Sequence, residues 1–94
     1  MTKSISLVLG VNRATLSGSR SKQHGVRQNA RAFANRLRRA GFGVRKWINI
    51  TNKHFAAVAR QMKEEGKGDG RIAEIFSAAR DLCRAYGNLS LIHI

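Results

Sequence analysis

The sequence predicts an all-α fold, a small bundle of three to four helices that ends in a helical hairpin. Apolar residues recur at helical spacing over three segments, glycines follow those segments, and the 94 residues include no proline. A chain of this length forms one small domain with a thin core. We therefore expect a single helical domain over residues 1–88, followed by an apolar tail at 89–94.

The pattern of the first segment, residues 4–16, does not distinguish a strand from a helix. Its apolar residues stand at positions 5, 7, 9 and 11, a period of two that is typical of a strand. A single strand would have no partner in this chain, so a helix stabilised by tertiary contacts remains an equal alternative.

The second segment predicts a helix over residues 21–40. One apolar stripe steps by four, three, four and three residues and comprises Val26, Ala30, Phe33, Leu37 and Ala40. Gly41 and Gly43 then end the helix. The basic residues Arg27, Arg31 and Arg38 share a second face, while Arg36 and Arg39 complement the dipole at the C-terminal end.

A short connection over residues 44–50 leads to the next helix. We expect Trp47, Ile48 and Ile50 to fill the core between helices. Thr51 is a good N-cap for a helix over residues 52–65, whose inward stripe is Phe55, Val58 and Met62, with Ala59 beside it. Gly66 ends it.

A turn over residues 67–70 completes a helical hairpin of helix-turn-helix spacing. Asp69 is the expected cap of the last helix, residues 70–86, and Gly87 its stop. The inward stripe of that helix comprises Ile72, Ile75, Phe76, Ala79, Leu82, Cys83 and Tyr86. The tail at 89–94 is interpreted as a truncation, a cloning scar or a short extended segment.

The net charge of +13 is concentrated in one half of the chain. The first fifty residues hold eleven Lys or Arg and no Asp or Glu. A large electrostatic field of one sign, here positive, favours binding to a polyanion such as nucleic acid. The predicted contacts on the second segment are Arg20, Lys22, Arg27 and Arg31, interspersed with the polar residues Ser19, Ser21, Gln23, Gln28 and Asn29.

The aromatic residues indicate which nucleic acid is the partner. Single-strand binders stack bases on exposed rings. Here five aromatic residues fall on or near predicted core stripes: Phe33, Phe42, Trp47, Phe55 and Phe76. The sequence therefore favours a duplex.

Catalytic and metal-binding patterns are missing from the sequence. The adjacent Glu64 and Glu65 point in different directions on a helix, and no nucleophile motif is present. Cys83 lies on an apolar stripe, as a core residue does. One cysteine and three dispersed histidines exclude an internal disulfide and make a structural zinc site improbable, so we expect no cofactor and a reducing, intracellular compartment. No apolar run is long enough for a membrane span.

The order of several motifs resembles the N-terminal, core-binding domain of phage-type integrases, the tyrosine recombinases of mobile elements. The similar segments, between about residues 18 and 88, are 37–42 (LRRAGF), 50–58 (ITNKHFAAV), 65–72 (EGKGDGRI) and 76–80 (FSAAR). The chain departs from the family pattern at Met62, at Arg71, at Glu74 with Ile75, and at Ala79. Arg71 and Arg80 remain as the basic residues of the last helix.

The resemblance implies a helical domain that clamps one face of a recombination site, while strand cleavage belongs to a separate catalytic domain. It therefore implies a non-catalytic binder of double-stranded DNA that acts beside other recombinase protomers in a bacterial or phage-infected cytoplasm, at the nucleoid. It also favours a helix over residues 4–16. The expected contacts on the hairpin are Lys53, Lys67, Arg71 and Arg80. A standalone RNA-binding module and a helical module that docks an acidic protein are the alternatives.

Overall fold

The computed structural model describes residues 16–87, which form three α-helices and one 3₁₀ turn. Helix α1 spans Arg20–Arg39, α2 spans Asn52–Glu64 and α3 spans Asp69–Ala85, and the 3₁₀ turn Trp47–Asn49 lies between α1 and α2. Within these residues there is no strand, so the predicted small helical bundle is confirmed. Helix boundaries agree with the prediction to within one residue. The predictions for residues 4–15 and for the tail at 89–94 lie outside the described residues.

Helix α1 begins and ends through local hydrogen bonds. The Ser19 hydroxyl accepts from the backbone N–H of Lys22 at 3.2 Å and caps the N-terminus. Gly41 adopts a φ of 90°, which lets the N–H of Phe42 return to the carbonyl of Leu37 at 3.1 Å. Ala40 is exposed beyond the last helical turn, so its prediction as part of the inward stripe was wrong.

The 3₁₀ turn places Trp47 and Ile50 in the core but not Ile48. Residues three apart share one side of such a turn, so Trp47 and Ile50 are buried together while Ile48 is 52% exposed. The prediction that Ile48 fills the core was therefore wrong.

Helix α2 follows the predicted pattern. Thr51 is its N-cap, and Phe55, Val58 and Met62 are buried as expected. Gly66, with a φ of 81°, allows the N–H of Lys67 to bond to the carbonyl of Met62 at 2.9 Å, which ends the helix.

Both ends of α3 differ from the prediction. Gly68 is the N-cap and Asp69 the first helical residue, because the helix begins one position earlier than expected. Asp69 therefore does not cap, although its charge still suits the N-terminal dipole. Tyr86 is the C-cap and is 37% exposed, so its prediction as an inward residue was wrong. Helical periodicity predicts which side chains face inward only within the helix, and Tyr86 lies just beyond the last helical residue.

Phe33 of α1 lies at the centre of the core. Its ring is fully buried and contacts Phe55 of α2 at 4.9 Å between centroids, Phe76 of α3 at 6.0 Å and Trp47 at 6.2 Å. Such ring pairs contribute roughly 0.5–1.5 kcal/mol each beyond their burial. Phe33 therefore joins all three helices and the 3₁₀ turn.

Helix α1 packs most extensively against α3. Arg71, near the start of α3, bonds to Asn29 midway along α1, whereas Asp81, near the end of α3, lies beside Lys22 at the start of α1. The two helices are therefore antiparallel. One side of α1 is covered by this packing, and the opposite side faces solvent.

Candidate nucleic-acid interface

Four arginines form a straight row along α1. At 3.6 residues per turn, Arg20, Arg27, Arg31 and Arg38 fall within about 40° of one another around the helix axis. The row is about 27 Å long, because a helix rises about 1.5 Å per residue. Three of these side chains are exposed and that of Arg27 is half-buried. We call these four residues the arginine row.

Two guanidinium groups of the arginine row donate to side-chain amides of the same helix. Arg38 donates to the amide oxygen of Asn35 at 3.2 Å, and Arg27 donates to that of Gln23 at 3.5 Å. Both acceptors are neutral. The first acidic residue of the whole chain is Glu64, so no carboxylate occurs within α1 itself. The row therefore presents positive charge on a helix without local acids.

Arg36 has a different role from the row. Its guanidinium donates to Gln61 at 3.0 Å and forms an ion pair with Glu65 at 3.0 Å, and only 12% of the side chain is exposed. Gln61 in turn donates to the carbonyl of Arg36 at 3.4 Å. This cluster fastens the C-terminal end of α1 to that of α2.

Lys22 lies apart from the arginine row. It is about 160° from the centre of the row around the axis of α1, at 3.6 residues per turn. There it lines a depression of about 400 Å³ with Val26 and Asp81. The structure therefore places Arg20, Arg27 and Arg31 together, as predicted, and Lys22 on the flank that faces α3.

Several polar residues predicted to contact nucleic acid already have intramolecular partners. Ser19 caps α1, Gln23 donates to the carbonyl of Gly18 at 2.9 Å, and Asn29 accepts from Arg71 at 2.8 Å. Ser21 and Gln28 are exposed. On α1, exposed guanidinium groups therefore outnumber exposed amides, and guanidinium groups suit phosphate oxygens.

Helix α2 and the turn after it carry a second group of basic residues. Lys53 on α2 and Lys67 in the turn are exposed, as a contact role requires. Arg60 and Lys63 are also exposed on α2, opposite its buried stripe, and were missed by the sequence analysis. Their positions could have been found by projecting the whole helix rather than its apolar residues alone.

The two basic residues predicted on α3 also have structural contacts. Arg71 donates to Asn29 at 2.8 Å and pairs with Glu74 at 3.1 Å. The guanidinium of Arg80 lies 5.8 Å from the centre of the Phe55 ring, within the range of a cation–π contact. Arg71 therefore links α3 to α1, and Arg80 links α3 to α2. Both side chains are also exposed, so they remain accessible to a partner.

A further basic pair flanks an apolar depression beside the 3₁₀ turn. Arg45, Lys46, Trp47, Ile48 and Tyr86 line a depression of about 250 Å³. Both basic residues are exposed, and none of the residues lining the depression is acidic. This group is not predicted from the sequence, because the apolar pattern places Ile48 and Tyr86 in the core.

Cys83 and the potential metal ligands within residues 16–87 form neither a reactive thiol nor a metal-ligand cluster. Cys83 is buried and its thiol donates to the carbonyl of Trp47 at 3.6 Å, while burial raises the pKa of this thiol to about 12. The thiolate is therefore not available as a nucleophile near neutral pH. Between residues 16 and 87, no three His, Cys, Asp or Glu side chains group as metal ligands would.

Hydropathy and comparisons with known proteins add two findings. None of the helices within residues 16–87 combines the length and apolar character that crossing a membrane requires. No family model, curated protein or solved structure matches the chain. The integrase resemblance therefore stays a prediction from the ordered motifs.

Proposed function

We propose that this protein is a non-catalytic module that binds double-stranded DNA by neutralising phosphates with the arginine row of α1. The observation that carries the proposal is the row itself, four guanidinium groups aligned over about 27 Å on a helix without acids. Duplex DNA carries one negative charge per about 1.7 Å of its axis, so a row of this length meets several phosphates.

The remaining surface favours a duplex over a single strand. Phe33, Trp47 and Phe55 are buried, and Phe42 and Phe76 are partly buried against the core. Continuous single-strand binding relies on a series of exposed rings, which these five do not supply. Helix α2 and the turn after it add four exposed bases to the molecule: Lys53, Arg60, Lys63 and Lys67.

The finer form of the proposal is that the chain is the core-binding domain of a phage-type integrase. It is supported by the order of motifs over residues 18–88 and by the agreement of a small helical bundle with that family's helical domain. In that role the domain clamps one face of the recombination site and acts beside other protomers, in the cytoplasm of a bacterium or infected cell. Hydroxyl-radical protection confined to one face, repeating every 10–10.5 base pairs, would support it. Protection around the whole duplex would contradict the clamp.

The test of DNA binding is a titration of a labelled blunt duplex at several salt concentrations. If about six phosphates are neutralised, the logarithm of the association constant falls with that of salt concentration at a slope of about −5. An affinity that does not change between low and moderate salt contradicts the proposal. Competition by an RNA duplex of equal length identifies the partner, because stronger competition by RNA would favour an RNA-binding module.

A further inference from the structure

We infer that the depression between the 3₁₀ turn and the end of α3 binds one unpaired nucleotide, stacking its base on Tyr86 and pairing its phosphate with Arg45 or Lys46. This inference rests on the proposed function, because it specifies a feature of the bound DNA: a bulged or extrahelical nucleotide next to paired duplex. The arginine row holds the paired part, and the depression is a separate site.

The apolar part of the depression is unusual for this molecule. Tyr86 and Ile48 are the large hydrophobic side chains that remain exposed among residues 16–87, and both line this one depression. Trp47 also lines the depression; it is 2% exposed, and its ring stacks on Phe33 in the core. One accessible ring and one aliphatic side chain beside this buried residue provide a place for a flat aromatic ligand.

The charge at the rim selects the ligand. Arg45 and Lys46 are exposed on the same depression, and it has no acidic residue in its lining. An aromatic ring beside cations is the combination that single nucleotides require, because the base stacks and the phosphate is neutralised. An apolar peptide would fill the depression without using either cation.

The size of the depression limits the ligand to a single nucleotide. Its volume of about 250 Å³ contrasts with the long surfaces of single-strand binders, which track at least about four nucleotides per module. The other large rings of the described chain are buried or half-buried, so there is no second platform for a neighbouring base. Only a nucleotide displaced from the duplex fits this arrangement.

The experiment compares two duplexes of the same sequence, one fully paired and one with a single 2-aminopurine bulge. We expect the wild-type protein to bind the bulged duplex about tenfold more tightly and to quench the 2-aminopurine fluorescence, since stacking one base on a ring contributes several-fold or more in affinity. Tyr86→Phe should retain both effects. Tyr86→Leu, which keeps apolar bulk without a ring, should remove both and leave the affinity for the paired duplex within about twofold.

The outcomes separate this inference from the proposed function. Binding of neither duplex contradicts the proposed function. Equal binding of the two duplexes by the wild-type protein overturns the inference alone, as does a bulge preference that Tyr86→Leu retains, because apolar docking would then suffice. A loss of folding stability in Tyr86→Leu as large as that of a core truncation also overturns it, since the ring would then be an internal contact.

Discussion

The backbone N–H of Thr51 donates to Nδ1 of His54 at 2.8 Å, so an imidazole closes the N-terminus of α2. A capping box ordinarily uses Glu or Gln at this third helical position. His54 is buried, and its ring meets that of Phe42 edge to face at 4.9 Å. The hydrogen bond requires an unprotonated Nδ1, which makes the start of α2 sensitive to protonation.

We predict that acid weakens the fold through His54. Burial, aided by the charge of Lys53, lowers the pKa of His54 below its ordinary value of 6.5. The imidazole of His54 therefore binds a proton more readily in the unfolded chain than in the folded one. The contribution of neutral His54 to the free energy of unfolding is complete above pH 6.5 and is lost as the pH falls below that value. Urea unfolding between pH 7.5 and 5 measures the loss.

His54→Gln is the control for this prediction. A glutamine keeps a side-chain acceptor for the Thr51 N–H and does not titrate. The variant should show a flatter dependence of the free energy of unfolding on pH. His24, exposed on α1, serves as a matched site, and a His24→Gln variant that flattened the profile equally would contradict the assignment to His54.

The arginine row predicts a specific change in salt dependence. Arg27→Ala combined with Arg31→Ala should weaken binding to every duplex alike and reduce the salt slope by about two. The matched control removes two charges at the depression between α1 and α3, one from each helix, as Lys22→Ala with Arg84→Ala. If both pairs change the slope equally, net charge rather than the row determines binding. A loss confined to one DNA sequence would indicate base reading instead.

Arg36 should contribute to stability and not to DNA affinity. Arg36→Met removes the ion pair with Glu65 and the hydrogen bond to Gln61, both at 3.0 Å. Hydrogen bonds with a charged partner contribute about 1.5–3 kcal/mol, and Glu65 is 40% exposed, so we expect a loss of about 1–2 kcal/mol in the free energy of unfolding. Thermal unfolding measures it. Arg39→Met, at an exposed position in the same turn, should change it by less than about 0.5 kcal/mol.

We predict that the carboxylate of Glu74 weakens DNA binding by partly neutralising the charge of Arg71. The carboxylate pairs with Arg71 at 3.1 Å on an exposed surface. Glu74→Gln frees that charge while the Asn29 contact still orients the guanidinium. Affinity for duplex DNA should rise about two- to threefold, measured by fluorescence anisotropy at constant salt. Asp81→Asn makes the same change in net charge beside Arg84, which pairs with Asp81 at 3.6 Å, and an equal gain there would argue against a role for Arg71.

Helical periodicity predicted most of the fold because burial repeats along a helix. Within the bounds of α1 and α2, the stripes through Phe33 and Phe55 were correct for that reason, and so was the buried Cys83 of α3. Periodicity does not show where a helix ends, which is why Tyr86 was misplaced. It also does not describe a 3₁₀ turn, which is why Ile48 was misplaced.

The candidate site was predicted less completely because it depends on contacts between distant residues. Arg27 and Arg31 were grouped correctly from their spacing of four. Lys22 was grouped with them, and its separation follows from the side of α1 that α3 covers. The sequence predicted only that Arg36 complements the dipole at the C-terminal end of α1. Its partners lie 25 or more residues away, at the C-terminal end of α2. The depression beside Tyr86 depends on two elements that are distant in sequence.

The carboxylates are distributed unevenly, which gives the molecule a charge asymmetry. All five carboxylate side chains lie from Glu64 onward, at the end of α2 and in the hairpin, whereas α1 has none. In the field of a polyanion this asymmetry produces a torque that turns α1 toward the anion during diffusion. Encounters with DNA would then begin with the proposed binding face already presented, which would raise the association rate at low ionic strength and make that rate fall as salt is added.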